Sequence, residues 1–276
     1  MKRCPYCGAE YPDEAEVCAL DRQPLPRSVD EGGGTGAAKT VHPTWPEYQW
    51  SARDGWKCLG MFLLLELFLI PVTTMMELWL PGSAAWLKTA FGLLCGSAVI
   101  YGISLVITIH LSKTGLRSSF WRAFGLGFKP SHYVWIGLAG VVTVRFGCHL
   151  FYLYGWETGT GDEFYSEFKS ATVAGQFLFA VGATLLAPCF EELIFRGFIY
   201  KAFRQSYSIP GSIALLVACT AITHSPDFFS SWLTASALSI WTIIQCYVRE
   251  KSESLWDCII CHATFNGWLL IYYAFG

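Results

Sequence analysis

The chain has 276 residues, of which 53% are hydrophobic, 16% aromatic and only 14% Asp, Glu, Lys or Arg, against about 25% charged residues in soluble domains. Residues 1–57 hold 16 of the 40 charges and residues 58–276 the other 24, so two segments with different solvents are implied. A formal charge of -2 lacks the basic excess of a nucleic-acid binder, and the composition argues against a soluble enzyme or a disordered tail protein.

The amino terminus reads Lys2-Arg3-Cys4-Pro5-Tyr6-Cys7 rather than an apolar leader, so it is expected to stay in the reducing cytoplasm. Cys4-x-x-Cys7 and Cys18-x-x-Asp21 are two ligand pairs on two tight turns, with Gly8 and Pro12 between them. The stretch resembles the small zinc-ribbon modules at the ends of many bacterial proteins, which implies a structural zinc on Cys4, Cys7, Cys18 and Asp21 and a cytoplasmic partner for the module. Asp21 departs from the four-cysteine form and is a harder ligand than a thiolate. The reading is thus a ribbon-like module over 1–25, a flexible linker over 26–56, amino-terminal membrane helices with an interfacial segment over 57–129, and a second membrane unit over 130–276.

Seven apolar stretches follow, over 59–80, 85–111, 133–155, 174–204, 209–226, 229–248 and 255–275. Each is near or above the ~20 residues that cross a bilayer as a helix, the fifth being marginal at about 18. The fold class expected is an all-α polytopic membrane protein with the catalytic bundle in its last four helices. Lys113, Arg117, Arg122, Lys129, Lys201, Arg204, Arg249 and Lys251 all fall in alternate loops, which predicts a multi-pass cell-membrane protein with its amino terminus cytoplasmic and its carboxyl terminus outside. Leu116, Phe120, Trp121, Arg122 and Phe124 form a basic aromatic segment expected at the cytoplasmic interface.

Ionisable groups inside spans are costly, and each is a functional hypothesis by default. Counted at ~1.5 Å per residue from the cytoplasmic ends, Glu191 lies about 20 Å deep, His224 about 22 Å, Asn266 about 17 Å and His262 about 10 Å. They converge on one layer. Glu192 and Arg196 are four apart on one helix face and form the natural ion pair, which leaves Glu191 to act as a general base. Pro188 should kink the same helix and open room near Glu191. His262 and Asn266 share a face and offer donors to a developing oxyanion.

The motifs Glu191-Glu192-Leu-Ile-Phe-Arg196-Gly197, His224 and His262-Ala-Thr-Phe-Asn266 resemble those of the CPBP (Abi, CAAX-prenyl-protease-2-like) intramembrane endopeptidases over roughly residues 130–276. The resemblance implies that Glu191 and His224 activate water, that His262 and Asn266 stabilise the oxyanion, and that Glu192 and Arg196 orient the site. Its substrate would be a membrane-associated or prenylated-like protein or peptide. Thr220 stands where the family usually has Phe.

Three other readings use the same residues. A catalytic zinc on Glu191, His224 and His262 would make a metalloprotease, although no His-Glu-x-x-His helix is present. A structural salt-bridge cluster would suit a non-proteolytic immunity, partner-binding or transport protein. Cys258-Ile-Ile-Cys261-His262 fits a haem-attachment string, but it falls at the cytoplasmic end of a span, and the two cysteines read instead as small packing residues. Arg145 and His149, four apart in the third span, are expected to make a structural interhelical contact; partnering Glu66 or lining a water path are the alternatives.

Overall fold

The computed structural model describes residues 2–3, 10–17, 25, 50–79, 100–111, 123–126, 132–154, 168–224, 228–229 and 231–275. Cys4, Cys7, Cys18 and Asp21 lie outside these residues, as do most of the linker, the first part of the predicted second span and Trp121; so do the side chains of Glu66 and Glu77. Two short strands, β1 (Lys2–Arg3) and β2 (Glu10–Tyr11), pair antiparallel with Lys2 opposite Tyr11, and Leu25 packs on Tyr11 and Ala15.

Seven helices of at least ten residues follow among the described residues: α1 (Ala52–Trp79), α2 (Gly102–Leu111), α3 (Tyr133–Leu153), α4 (Val173–Arg204), α5 (Ile209–Thr223), α6 (Trp232–Ser252) and α7 (Leu255–Phe275). The described residues are mostly helical, and among them two segments, Tyr133–Phe151 and Val173–Arg204, are long and apolar enough to cross a membrane. The helix starts carry the expected chemistry. Thr172, Ser208 and Ser231 accept from the amides of Gly175, Gly211 and Thr234. At α1, Asp54 Oδ2 accepts from the Ser51 amide at 3.0 Å and from its hydroxyl at 2.9 Å. Burial pushes the Asp54 carboxyl up, but the Ser51 bonds and the neighbouring Lys57 ammonium outweigh it and hold the group below the usual aspartate range.

Helix α7 lies between α4 and α3, α6 packs on α3, α5 and α7, and α1 packs on α2 and the carboxyl-terminal part of α4. One core joins Phe62, Tyr101, Phe124, Ile194, Phe198, Phe203, Leu216 and Leu255, so the amino-terminal helices share it with α4, α5 and α7. A second, smaller cluster joins α3, α6 and α7 through Val141, Val144, Trp241, Cys261 and Phe265.

Two expectations are corrected here. The linker was to run to residue 56, yet Trp50 is buried against Phe198, at 4.4 Å between ring centres, and α1 already begins at Ala52. Phe124 was to lie at the membrane interface, yet it is fully buried. The reason is that four consecutive carbonyls of its segment each receive a donor from another helix. Lys201 Nζ donates to Ala123 O at 2.8 Å, Arg249 Nη2 to Phe124 O at 3.2 Å, the Leu255 amide to Gly125 O at 2.9 Å, and Trp256 Nε1 to Leu126 O at 2.8 Å. Irregular backbone survives among apolar helices when its polar groups are satisfied in this way. Gly125 turns the segment with φ of +70°, and a Cβ there would lie 2.6 Å from Glu253 O.

Candidate active site

Glu191, Glu192, Arg196, His262 and Asn266 come together where the middle of α4 meets α7. Helix α4 is not regular there: π-helical stretches cover Gly182–Leu186 and Leu193–Ile199, on either side of the two glutamates. Such wide turns are rare and cluster at functional sites.

The first stretch has a readable cause. The Ala187 amide bonds the Gly182 carbonyl, five residues back. In that register the next carbonyl, Ala183 O, would receive the amide of residue 188, which is Pro188 and has none. Asn266 supplies the missing donor from α7, Nδ2 to Ala183 O at 2.8 Å. The kink expected at Pro188 is thus expressed as a widened turn, and it anchors a residue on another helix.

The ion pair expected from the spacing of Glu192 and Arg196 is present, Arg196 Nη1 to Glu192 Oε1 at 3.0 Å, with both groups buried. The sequence did not disclose the second partner of that oxygen, His262 Nδ1 at 2.7 Å. An ionised carboxylate only accepts, so Nδ1 carries a proton and donates it. The other imidazole nitrogen, Nε2, lies 3.8 Å from Glu191 Oε2. His262 is therefore held between two carboxylates, one buried and one partly open. Glu191 keeps about 15% of its side-chain surface exposed, while Glu192 keeps none.

His224 sits at the carboxyl end of α5, where its amide bonds Thr220 O at 2.9 Å and its Nδ1 lies 3.1 Å from Thr223 Oγ1. No hydrogen bond or ion pair joins it to Glu191 or His262 among the described residues. Thr220, in the place of the family's Phe, is buried and donates to Leu216 O while accepting from Thr242 Oγ1 at 3.3 Å, so it ties α5 to α6 one turn before His224. Among the described residues no three His, Cys, Asp or Glu side chains gather as a metal-binding group. Cys258 and Cys261 are buried thiols that donate to Gln245 O and Val134 O, both at 3.6 Å, in keeping with a packing role. Arg145 makes an interhelical contact, donating from α3 to the main chain of Phe265 in α7, while the side chain of Glu66 lies outside the described residues.

Neither a curated protein nor a solved structure matches the chain. Residues 173–268 match the family described as Type II CAAX prenyl endopeptidase Rce1-like. That stretch carries Glu191-Glu192-x-x-x-Arg196, His224 and His262-x-x-x-Asn266 in order, so this part of the chain is similar to the CPBP (Abi, CAAX-prenyl-protease-2-like) family of membrane proteases.

Proposed function

We propose that the protein is an intramembrane endopeptidase of the glutamic type, acting on a peptide bond in a membrane-associated or prenylated-like protein or peptide. The observation that carries this reading is the line Arg196, Glu192, His262, Glu191, in which a buried ion pair fixes an imidazole whose free nitrogen faces a partly open carboxylate. Glu191, assisted by His224 at the end of α5, takes a proton from water as the oxygen attacks the carbonyl carbon. The resulting oxyanion accepts from the second Nδ2 proton of Asn266 and from Nε2–H of His262 in its imidazolium form, which Glu192 stabilises. The C–N bond then breaks, and the protonated Glu191 gives its proton to the leaving amine.

The topology that accompanies this reading is seven spans with the amino terminus in the cytoplasm and the carboxyl terminus outside. The alternating basic loops support it, as does the Arg204–Glu250 pair at 3.0 Å, which joins the basic carboxyl ends of α4 and α6 at one end of the bundle. Reporter fusions at residue 49 and after Gly276 are expected to report opposite compartments. The tail is proposed to hold one zinc on Cys4, Cys7, Cys18 and Asp21, and the β1–β2 pairing, which brings the flanks of the first cysteine pair together, supports it. Purified full-length protein should then lose one zinc when Cys7 is replaced by Ser.

The deciding experiment uses an internally quenched, farnesylated peptide ending in a Cys-aliphatic-aliphatic-X sequence, with protein in nanodiscs. Glu191→Gln should remove most turnover while leaving the fold intact. Wild-type turnover in that variant ends the proposal, and turnover that requires metal in a variant lacking the four tail ligands would move it to the metalloprotease class.

A further inference from the structure

We infer that Arg145 of α3 is a positioning residue for His262 and Asn266, acting through Phe265 and Trp241. The inference rests on the proteolytic reading above but concerns a residue outside the matched stretch 173–268.

Arg145 is a cation in a helix long and apolar enough to span a membrane, where an ionisable side chain is costly and calls for a reason. Its Nε and Nη2 both donate to the main-chain oxygen of Phe265, at 3.3 and 3.0 Å. The same guanidinium lies 3.4 Å from the centre of the Phe265 ring. Trp241 of α6 stacks on that ring at 4.5 Å with the planes 9° apart. Two groups at these distances cannot share one face of a ring, so Phe265 is sandwiched between Arg145 and Trp241. Trp241 also meets the His262 imidazole at 6.4 Å and 71°, a T-shaped contact.

Phe265 immediately precedes Asn266 and lies three residues after His262, so whatever fixes its carbonyl and ring fixes the rotation of the helix turn that carries both donors. Glu192 and the Ala183 carbonyl hold these donors from the α4 side. Arg145 and Trp241 hold the same turn from the opposite packing neighbours, α3 and α6. The levels agree: Arg145 lies about 18 Å along α3 from Tyr133, and Phe265 about 15 Å along α7 from Leu255. A planar fork that bonds a carbonyl and stacks on a ring at once is a task for arginine; lysine has no such plane.

The test uses full-length protein in nanodiscs with ¹⁵N-labelled histidine, reading the His262 Nδ1 proton directly and turnover of the quenched farnesylated peptide in parallel. Arg145→Met should shift or broaden the Nδ1 proton signal and lower kcat on the order of tenfold to a hundredfold with KM within about twofold, as expected for displaced catalytic donors. Arg145→Lys, which keeps the charge and one bond, should recover part of both. Phe265→Leu, which removes the ring and keeps the main chain, should repeat the Met result and serves if that variant does not fold. An unchanged signal in Arg145→Met and Phe265→Leu overturns the inference, as does a raised KM with kcat intact, which would make Arg145 a substrate contact. The proton signal does not depend on turnover. An active Glu191→Gln protein beside a responsive signal would therefore remove Glu191 as the general base and leave the positioning role standing.

Discussion

Replacing Pro188 by alanine should make the protein more stable and less active at the same time. A proline inside a helix costs about 3 kcal/mol or more relative to alanine, and part of that should be recovered. The restored amide at residue 188 would, however, compete for Ala183 O, which now accepts Asn266 Nδ2 at 2.8 Å. One neutral hydrogen bond contributes about 1 kcal/mol net, which at 1.36 kcal/mol per tenfold corresponds to a loss of about fivefold in kcat if Asn266 is freed to wander. Complete loss of the donor in Asn266→Ala sets the upper limit, on the order of 10²–10³. The assay is turnover of the quenched peptide in nanodiscs, with the thermal midpoint taken on the same preparations. The double variant Pro188→Ala with Asn266→Ala should turn over no more slowly than Asn266→Ala alone, because the proline acts through the asparagine. Full additivity of the two changes, or wild-type kcat in Pro188→Ala, would refute the assignment of Ala183 O as the shared acceptor.

Glu192→Gln leaves Arg196 as an unbalanced buried cation and should destabilise by about 3–5 kcal/mol, read as a lowered thermal midpoint, whereas Glu191→Gln should leave the midpoint near wild type. Gly197→Ala builds a Cβ 2.8 Å from Phe124 Cδ1, so it should cost about 1–3 kcal/mol, and Phe124→Leu on that background should recover part of it. Asp54 has a folded-state pKa held below its unfolded value, so its contribution is present above the ordinary aspartate pKa of about 3.9 and is lost as pH falls through the lower folded value. Asp54→Ala should thus lower the thermal midpoint at pH 7, by the loss of about 1 kcal/mol for a cap, and make no difference in acid below both values.

The helices were legible because length and polarity punctuate them: Tyr133, Val173, Ile209 and Leu255 begin helices within a residue of where the apolar stretches begin. The Glu192–Arg196 pair was legible because it depends on spacing within one helix. The His262–Glu192 bond was not, since it depends on how two helices face each other across 70 residues of chain. Depth counting set His262 about 10 Å shallower than Glu191, whereas Nε2 lies 3.8 Å from the Glu191 carboxylate. Part of the discrepancy has a cause in α4 itself: the stretch Leu193–Ile199 winds in wide turns that advance less per residue, so a count at α-helical rise overstates how deep Glu191 lies. Phe124 was misplaced because its surroundings, Trp50, Gly197 and four donors from three helices, are all remote in sequence.

Trp50 also changes where the protein can safely be cut. Its indole packs on Phe124 at 5.3 Å and on Phe198 at 4.4 Å, and Phe198 belongs to the wide-turned stretch that follows Glu191 and Glu192. A truncation designed from composition alone, at residue 57, would remove this indole and the Ser51–Asp54 cap and leave a hole beside Phe198. A truncation after residue 49 spares both.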